Sequence, residues 1–345
     1  MSNTASGRVE VLQPGIGTTV QDAGRSGHRH EGIPWSGWLD APLAHAANAL
    51  VGNALDACAL ELRGVGTELR IQSGPVRIAL AGAVSARWWR DDATAVALAS
   101  WQTATLQTGD RLSLGPATSG CAYLAVAGGF QLPAQLGSRA SYWRAGLSGL
   151  QGRAWLPGDV LPCPTWPNHP IEEWRASAWS MPAGPIRVLL GPQADHFSEE
   201  ALHTFTHSTW EATAEQDRMG LRLRGTKLAH RTTAAADIVS DAVTPGAIQV
   251  PASGQPIVLL ADSQTVGGYP KIATVITADL PKLAHAKAGT LLQFQAVSPE
   301  QARQALADLQ AHWQQRLVTR QTFLPAGYVD EQALYGHNLV SGMLL

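Results

Sequence analysis

The stretch IQVPASGQPIVLLADSQTVGGYPKIA, residues 248–273, sets two apolar runs around a polar connector. Ile257 to Leu260 is β-branched, leucine-rich and too short for a helix, so it predicts a strand. Asp262, Ser263, Gln264 and Thr265 follow. Gly267-Gly268-Tyr269-Pro270 then predicts a turn, because glycine accepts positive φ and Pro270 holds Tyr269 extended. Ile272 to Ile276 resumes a strand. A polar tetrad between two buried strands is costly unless it is hydrogen-bonded or functional, and the site is expected there. A plain polar hairpin loop is the alternative.

Outward from this stretch, the same pattern recurs. Between Ala59 and Ala127 short runs such as LELR, VRIAL, ATLQ and AYLAVA are separated by Gly, Asp and Pro. That spacing predicts an antiparallel barrel or sandwich rather than βαβ units. Further strands are expected around residues 186–190, 221–224, 246–250, 256–261, 272–277 and 290–296. The fold class is therefore mainly β with a few helices. At 345 residues two domains are the default. A Pro- and Trp-bearing stretch, Leu161 to Pro185, reads as the linker between them. The expected division is residues 1–165, residues 185–320 and a tail, 321–345, that is mobile or locally packed.

Helices are announced by their ends. Asp40 is a good N-cap before Pro42, and Leu43, Ala46, Ala47 and Leu50 share one face before Gly52 stops the helix. Ser198 caps a second helix, with Glu199 and Glu200 in its first turn. Asp279 with Pro281 starts a short third. Ser298-Pro299-Glu300-Gln301 is a capping box opening a helix striped by Ala302, Leu306, Leu309, Trp313 and Leu317.

Composition excludes several function classes. A net charge of −2 gives no electrostatic case for nucleic acid. No run of 18 apolar residues predicts a membrane span. The N-terminus lacks the regions of a signal peptide, and Cys58, Cys121 and Cys163 suggest neither zinc spacing nor a disulfide framework, so a cytoplasmic setting is expected. P-loop, nucleophile-elbow and zincin motifs are missing, and no lysine is flanked by methionines as in a biotin carrier. His203 and His207 have metal-like helical spacing without an accompanying carboxylate motif, so no metal is expected.

Three polar loops remain: Gln21–Arg25, Asp217–Arg218, and Gln249 with Asp262–Lys271. Each joins an amide or carboxylate to a nearby cation. Such a set can hold a planar amide, a guanidinium taking a carboxylate and side-chain amides taking a ring. Asp262, Gln264 and Arg218 are the expected catalytic residues, with Asp262 a general base if partly desolvated. Gln21, Asp22, Arg25, Gln249, Thr265, Tyr269 and Lys271 are expected substrate contacts. The bland alternative makes Asp22–Arg25 and Asp217–Arg218 turn-stabilising pairs.

The segments TTVQDAGRSG (18–27), SGWLDAP (36–42), ANALVGN (47–53), ALEL (59–62), AYLAVAGGF (122–130), GPQADHF (191–197), DRMGLRLRG (217–225), residues 245–275 and DLPKLAHAKAG (279–289) together resemble a carboxyltransferase-type family. That family includes the C subunit of 5-oxoprolinase, an antagonist of a sporulation kinase inhibitor, and the carboxyltransferase part of urea carboxylase. The resemblance covers about residues 8–312 and adds Asp40 to the substrate contacts. It implies two cyclophilin-like β-barrel domains. It also implies half of a site in an enzyme that opens the lactam of 5-oxoproline to glutamate, with ATP as co-substrate and 5-oxoprolinase subunits B and A as partners. The alternatives are a non-catalytic regulator that binds a protein like the kinase inhibitor, and a carboxyltransferase component for a urea-like substrate. Gln216 stands where such sequences usually carry serine, and Trp35 and Trp38 where smaller residues are usual.

Overall fold

The computed structural model describes residues 6–90, 93–167, 172–317 and 319–324. Most of the tail expected at 321–345 lies outside them.

Two β systems face each other. The first is a curled nine-stranded antiparallel sheet whose main path runs Thr19–Gln21, Ala59–Leu62, Arg111–Val126, Thr67–Ser73, Ser6–Gln13, Val160–Pro164. Val76–Trp89 joins it through Arg111–Val126 and carries Val96–Leu98 and Thr103–Leu106 on its free edge. Among the described residues this sheet stays open. The two longest strands bend together where Gly82, at φ 101°, opposes Ala122 and the register shifts. A Cβ on Gly82 would lie 2.9 Å from Ala122, so the close approach needs glycine.

The second is a closed barrel in the order Ile186–Leu190, Lys271–Val275, Ala247–Gln249, Ile257–Leu259, Gly220–Arg224, Thr209–Gln216, Leu291–Ala296. A parallel pairing of Ile186–Val188 with Phe294–Ala296 closes the ring and leaves no edge. The 248–273 stretch supplies three neighbouring strands of it, so the polar tetrad leaves the barrel wall between two of its strands. Gly267 and Gly268 are not at positive φ. The close neighbour at 267 is a side chain: a Cβ there would stand 2.4 Å from the Gln249 amide nitrogen, which would have to swing aside.

Among the described residues four α-helices cover these sheets. In α1 (Ala41–Leu50) the Asp40 carboxylate accepts the Leu43 N–H at 2.9 Å and Gly52 follows at φ 76°. In α2 (Glu199–His207) Ser198 accepts from Ala201 at 3.1 Å. The short α3 (Leu280–Ala284) starts after Asp279 as expected, but the Asp279 side chain makes no cap bond. Its carboxylate is drawn to Arg187, which donates through Nε and Nη2 at 2.9 and 2.8 Å. In α4 (Pro299–Leu317) the capping box is complete, with Gln301 N–H to Ser298 Oγ at 3.2 Å and Ser298 N–H to Gln301 Oε1 at 2.8 Å.

One apolar cluster lies wholly within the first sheet, from Val9 and Val20 to Leu161 and Cys163. The larger one spans both systems. It joins Leu43, Ala47, Leu50 and Tyr123 to Ile186, Trp210 and Phe294 of the barrel and Phe205 of the helix Glu199–His207. The described parts of the 161–185 segment, residues 161–167 and 172–185, are built in rather than slack. Glu173–Arg175 pairs with Gln321–Phe323. Arg77, fully buried, lies under Trp166 and Trp174 and 3.1 Å from Glu173.

Candidate functional site

Arg218 occupies the turn between the strands Thr209–Gln216 and Gly220–Arg224. Asp217 shapes that turn by accepting the N–H groups of Met219 and Gly220 at 2.7 and 3.2 Å. Asp262 leaves the neighbouring strand, and its N–H donates to the Arg218 carbonyl at 2.9 Å. The backbone thereby sets the two side chains face to face. The guanidinium donates to Asp262 through Nε at 3.0 Å and Nη2 at 3.1 Å, to Glu61 through Nη1 at 2.5 Å, and to the Gly37 carbonyl. Glu61 is fully buried on Ala59–Leu62 and also accepts from the Tyr123 hydroxyl at 2.6 Å and Leu39 N–H at 2.9 Å. Tyr123 in turn accepts the Asp40 N–H at 3.0 Å. A buried chain of hydrogen bonds thus crosses from barrel to sheet.

The charges in this chain hold each other. Burial alone would raise the Glu61 carboxyl, but Arg218, Arg63 and the donors on it keep it below the ordinary glutamate range. Burial alone would lower Arg218, but Asp262 and Glu61 hold it more firmly protonated than usual. Burial, then the nearby Glu61 charge, pushes the Tyr123 phenol well up.

A cleft of about 880 Å³ opens over this cluster. Its walls include Arg63, Tyr142, Trp143, Arg144, Gln216 and Lys287 beside Arg218 and Asp262. Burial, then Asp262, raises the Tyr142 phenol, so it stays a donor. A second depression of about 550 Å³ adjoins it across the 214–219 turn and holds Gln249, Gln264 and Tyr269.

The expected residues therefore divide. Arg218 and Asp262 share the first cleft, whereas Gln264 lies in the neighbouring one, its amide donating to Gln249 at 3.3 Å. Tyr269 is 42 % exposed at its wall. Thr265 is buried beside them. Lys271 points elsewhere, its ammonium on Asp241 at 2.8 Å. Asp22 is occupied by Gly24 N–H, Ser138 Oγ and Arg139 N–H at 2.9, 2.5 and 2.6 Å, and so fastens a loop. Arg25 is not hydrogen-bonded to Asp22. It donates to the Ala140 carbonyl, and its buried Nε and Nη1 have no partner. Gln21 donates to Thr19 Oγ1 at 3.0 Å, and its carbonyl oxygen has no partner. Asp40 caps α1 and meets His285. On α2 the His203 and His207 rings stack at 3.9 Å on the exposed face.

Sequence reasoning passed over Glu61, Tyr123, Tyr142, Arg144 and His285. Glu61 carried a signal of its own, a lone carboxylate in the apolar run Ala59-Leu60-Glu61-Leu62. The others become significant only through contacts between distant segments.

A closed barrel set against an open curled sheet, with a cleft over a buried ionic cluster where they meet, defines a two-part β-rich protein. Residues 31–296 match the family profile described as carboxyltransferase domain, subdomain A and B. The chain is 36% identical to the C subunit of 5-oxoprolinase from Escherichia coli over 89% of its own length and 97% of that protein. It is 35% identical to the Haemophilus influenzae protein of the same name, over 85% of this chain and 93% of that one. The crystal structure of the K. lactis urea amidolyase superposes with a TM-score of 0.78 at 29% identity, covering 89% of this chain but 20% of that much longer one. The chain belongs to the carboxyltransferase domain family. Among the described residues no helix is long and apolar enough to cross a membrane.

Proposed function

We propose that the chain works as the C subunit of an ATP-dependent 5-oxoprolinase and binds 5-oxoproline in the 880 Å³ cleft, with subunits A and B completing the enzyme. The observation that carries this reading is the cleft over Glu61, Arg218 and Asp262, in a chain whose match covers 97% of the E. coli relative. A lactam is a resonance-stabilised amide, so attack by water needs both activation through ATP and stabilisation of the charge that grows on oxygen.

Two of the three expected catalytic residues, Asp262 and Arg218, take a different part in this reading. Both oxygens of Asp262 and four donor contacts of Arg218 are consumed inside the cluster. They form a fixed floor that orients the walls. Arg63 and Arg144 supply the cations for the substrate carboxylate, and the protonated Tyr142 hydroxyl donates to the lactam oxygen. The general base comes from a partner protein or from activated substrate. ATP binding is assigned to the assembled enzyme, since no nucleotide motif is present in this chain.

The test is co-expression with subunits A and B and measurement of 5-oxoproline-dependent ATP hydrolysis and glutamate release. The assembled enzyme is expected to be active and the isolated chain inactive. Tyr142→Phe should lower kcat by about 10²-fold or more, as loss of an oxyanion donor does. Arg63→Ala with Arg144→Ala should raise KM for 5-oxoproline. A complex indifferent to all three changes overturns the placement of the site, and a complex inert toward 5-oxoproline overturns the function. The likeness to the K. lactis urea amidolyase structure favours a second reading, carboxyl transfer to a urea-like amide. Carboxylation dependent on a biotin carboxylase would select it.

A further inference from the structure

A cleft of about 710 Å³ lies apart from the one described above, walled by residues 178–184, Leu43, Trp101 and Lys282. Asp40 and His285 stand at its floor, and the fully buried Cys121 lies just behind. One ligand atom from each of the three comes within 4.8 Å of the others.

The imidazole is the informative member. His285 Nδ1 faces the Ser119 carbonyl and Nε2 faces Asp40 Oδ2 at 2.7 Å. Both ring nitrogens therefore meet acceptors. A neutral imidazole has one N–H, so with Nδ1–H on Ser119 its Nε2 lone pair is directed at a carboxylate oxygen. An imidazolium donating from both nitrogens would satisfy the two acceptors, and so would a neutral ring with a cation placed among Nε2, Oδ2 and the Cys121 sulfur. The remaining contacts are those of supporting groups in metal sites: a carbonyl fixes the histidine tautomer, and the Leu43 N–H holds the other Asp40 oxygen at 2.9 Å.

We propose that Asp40, Cys121 and His285 form a site for a divalent cation of the zinc type. Imidazole, thiolate and carboxylate suit Zn²⁺, while sulfur and nitrogen ligands argue against Mg²⁺ and Ca²⁺. Three protein ligands leave a fourth position facing the cleft, for water or an exchangeable anionic ligand. On binding, the Cys121 thiol releases its proton to solvent and its sulfur takes the metal. The Nε2–Oδ2 gap opens by roughly half an ångström to fit Zn–N and Zn–O bonds near 2.0–2.2 Å. The ligands come from the cap of α1, the strand Arg111–Val126 and the residue after α3, so the ion joins sheet to barrel. Gly120 makes this approach feasible: at φ 97°, a Cβ there would lie 2.5 Å from the Ala284 carbonyl and 2.7 Å from His285 Cα.

The test uses the full chain, stripped with a chelator and titrated with Zn²⁺ and Co²⁺, independently of any 5-oxoproline assay. Native mass spectrometry is expected to show an ion whose binding is weakened at least about tenfold by Cys121→Ser and by His285→Asn. It should survive His203→Ala with His207→Ala, which removes the exposed histidine pair. Cobalt bound to the wild-type chain should show a thiolate-to-metal charge-transfer band. Lack of that band overturns the proposal even if the variants fail to fold. So does metal binding that disappears with the α2 histidines but persists in Cys121→Ser, which would leave an imidazolium bridging Asp40 and Ser119.

Discussion

Arg218 is closed in by Asp262, Glu61 and the Gly37 carbonyl, and its removal would strand two carboxylates inside the protein. Arg218→Met is therefore expected to cost about 3–5 kcal/mol in urea unfolding at neutral pH, as breaking a buried pair does. Glu61 sets a pH dependence with a definite sign. Its folded pKa lies below its ordinary value, so its contribution is present above that value and lost as pH falls through the lowered one. Acid unfolding of Glu61→Gln should lack this component, seen as a shallower loss of stability below the ordinary glutamate range. At the other cleft, Gly267→Ala places a methyl 2.4 Å from the Gln249 amide. The obstructing atom is the end of a side chain that can swing aside, so the cost is expected at the low end of the about 1–3 kcal/mol of overpacking, measurable by thermal unfolding. At this scale the residue types were legible and their partners were not. Asp262 and Arg218 stood out as polar groups in apolar surroundings, but Glu61 lies 157 positions away from Arg218, a pairing no local pattern encodes. Asp22 and Lys271 looked like ligand contacts and are spent on Arg139 N–H and Asp241.

Secondary-structure elements read well where their signals are local. The caps of α1, α2 and α4 follow from three or four consecutive residues, and each forms as the sequence indicates. Ser298→Ala is accordingly expected to cost about 1 kcal/mol of stability by removing the cap on α4, with little effect on substrate binding. The start of α3 also falls where Asp279 and Pro281 place it, although the Asp279 carboxylate turns to Arg187 on the neighbouring strand instead of capping the helix. Strand lengths were understated for a related reason. VRIAL and AYLAVA look like short runs ended by glycine, yet Val76–Trp89 and Arg111–Val126 continue through Gly82 and Gly120 by bulges. Only the paired partner reveals whether a glycine ends a strand or bends it.

For the molecule as a whole, the β-rich class follows from alternation and turn spacing, whereas the closed ring formed around residues 248–273 is implied only by the family resemblance. The openness of the first sheet does not follow from that spacing, since closure depends on edge pairing between remote strands. We propose that the boundary near 165–185 separates two units that depend on each other. The cluster joining Leu43 and Leu50 to Ile186 and Trp210 would be cut open by separating them. Residues 1–165 and 185–320 expressed apart should aggregate or unfold early and recover when co-expressed, as followed by light scattering and thermal melts. The pairing of Glu173–Arg175 with Gln321–Phe323 bears on how the cleft operates. The polypeptide passes from sheet to barrel and then comes back, and Arg320 clasps Trp174 at 3.8 Å and the end of α1 through the Ala49 carbonyl. Two such moorings suit a vice with stationary jaws better than a hinged clamp, and we expect the gap between barrel and sheet to keep one width when a ligand enters it.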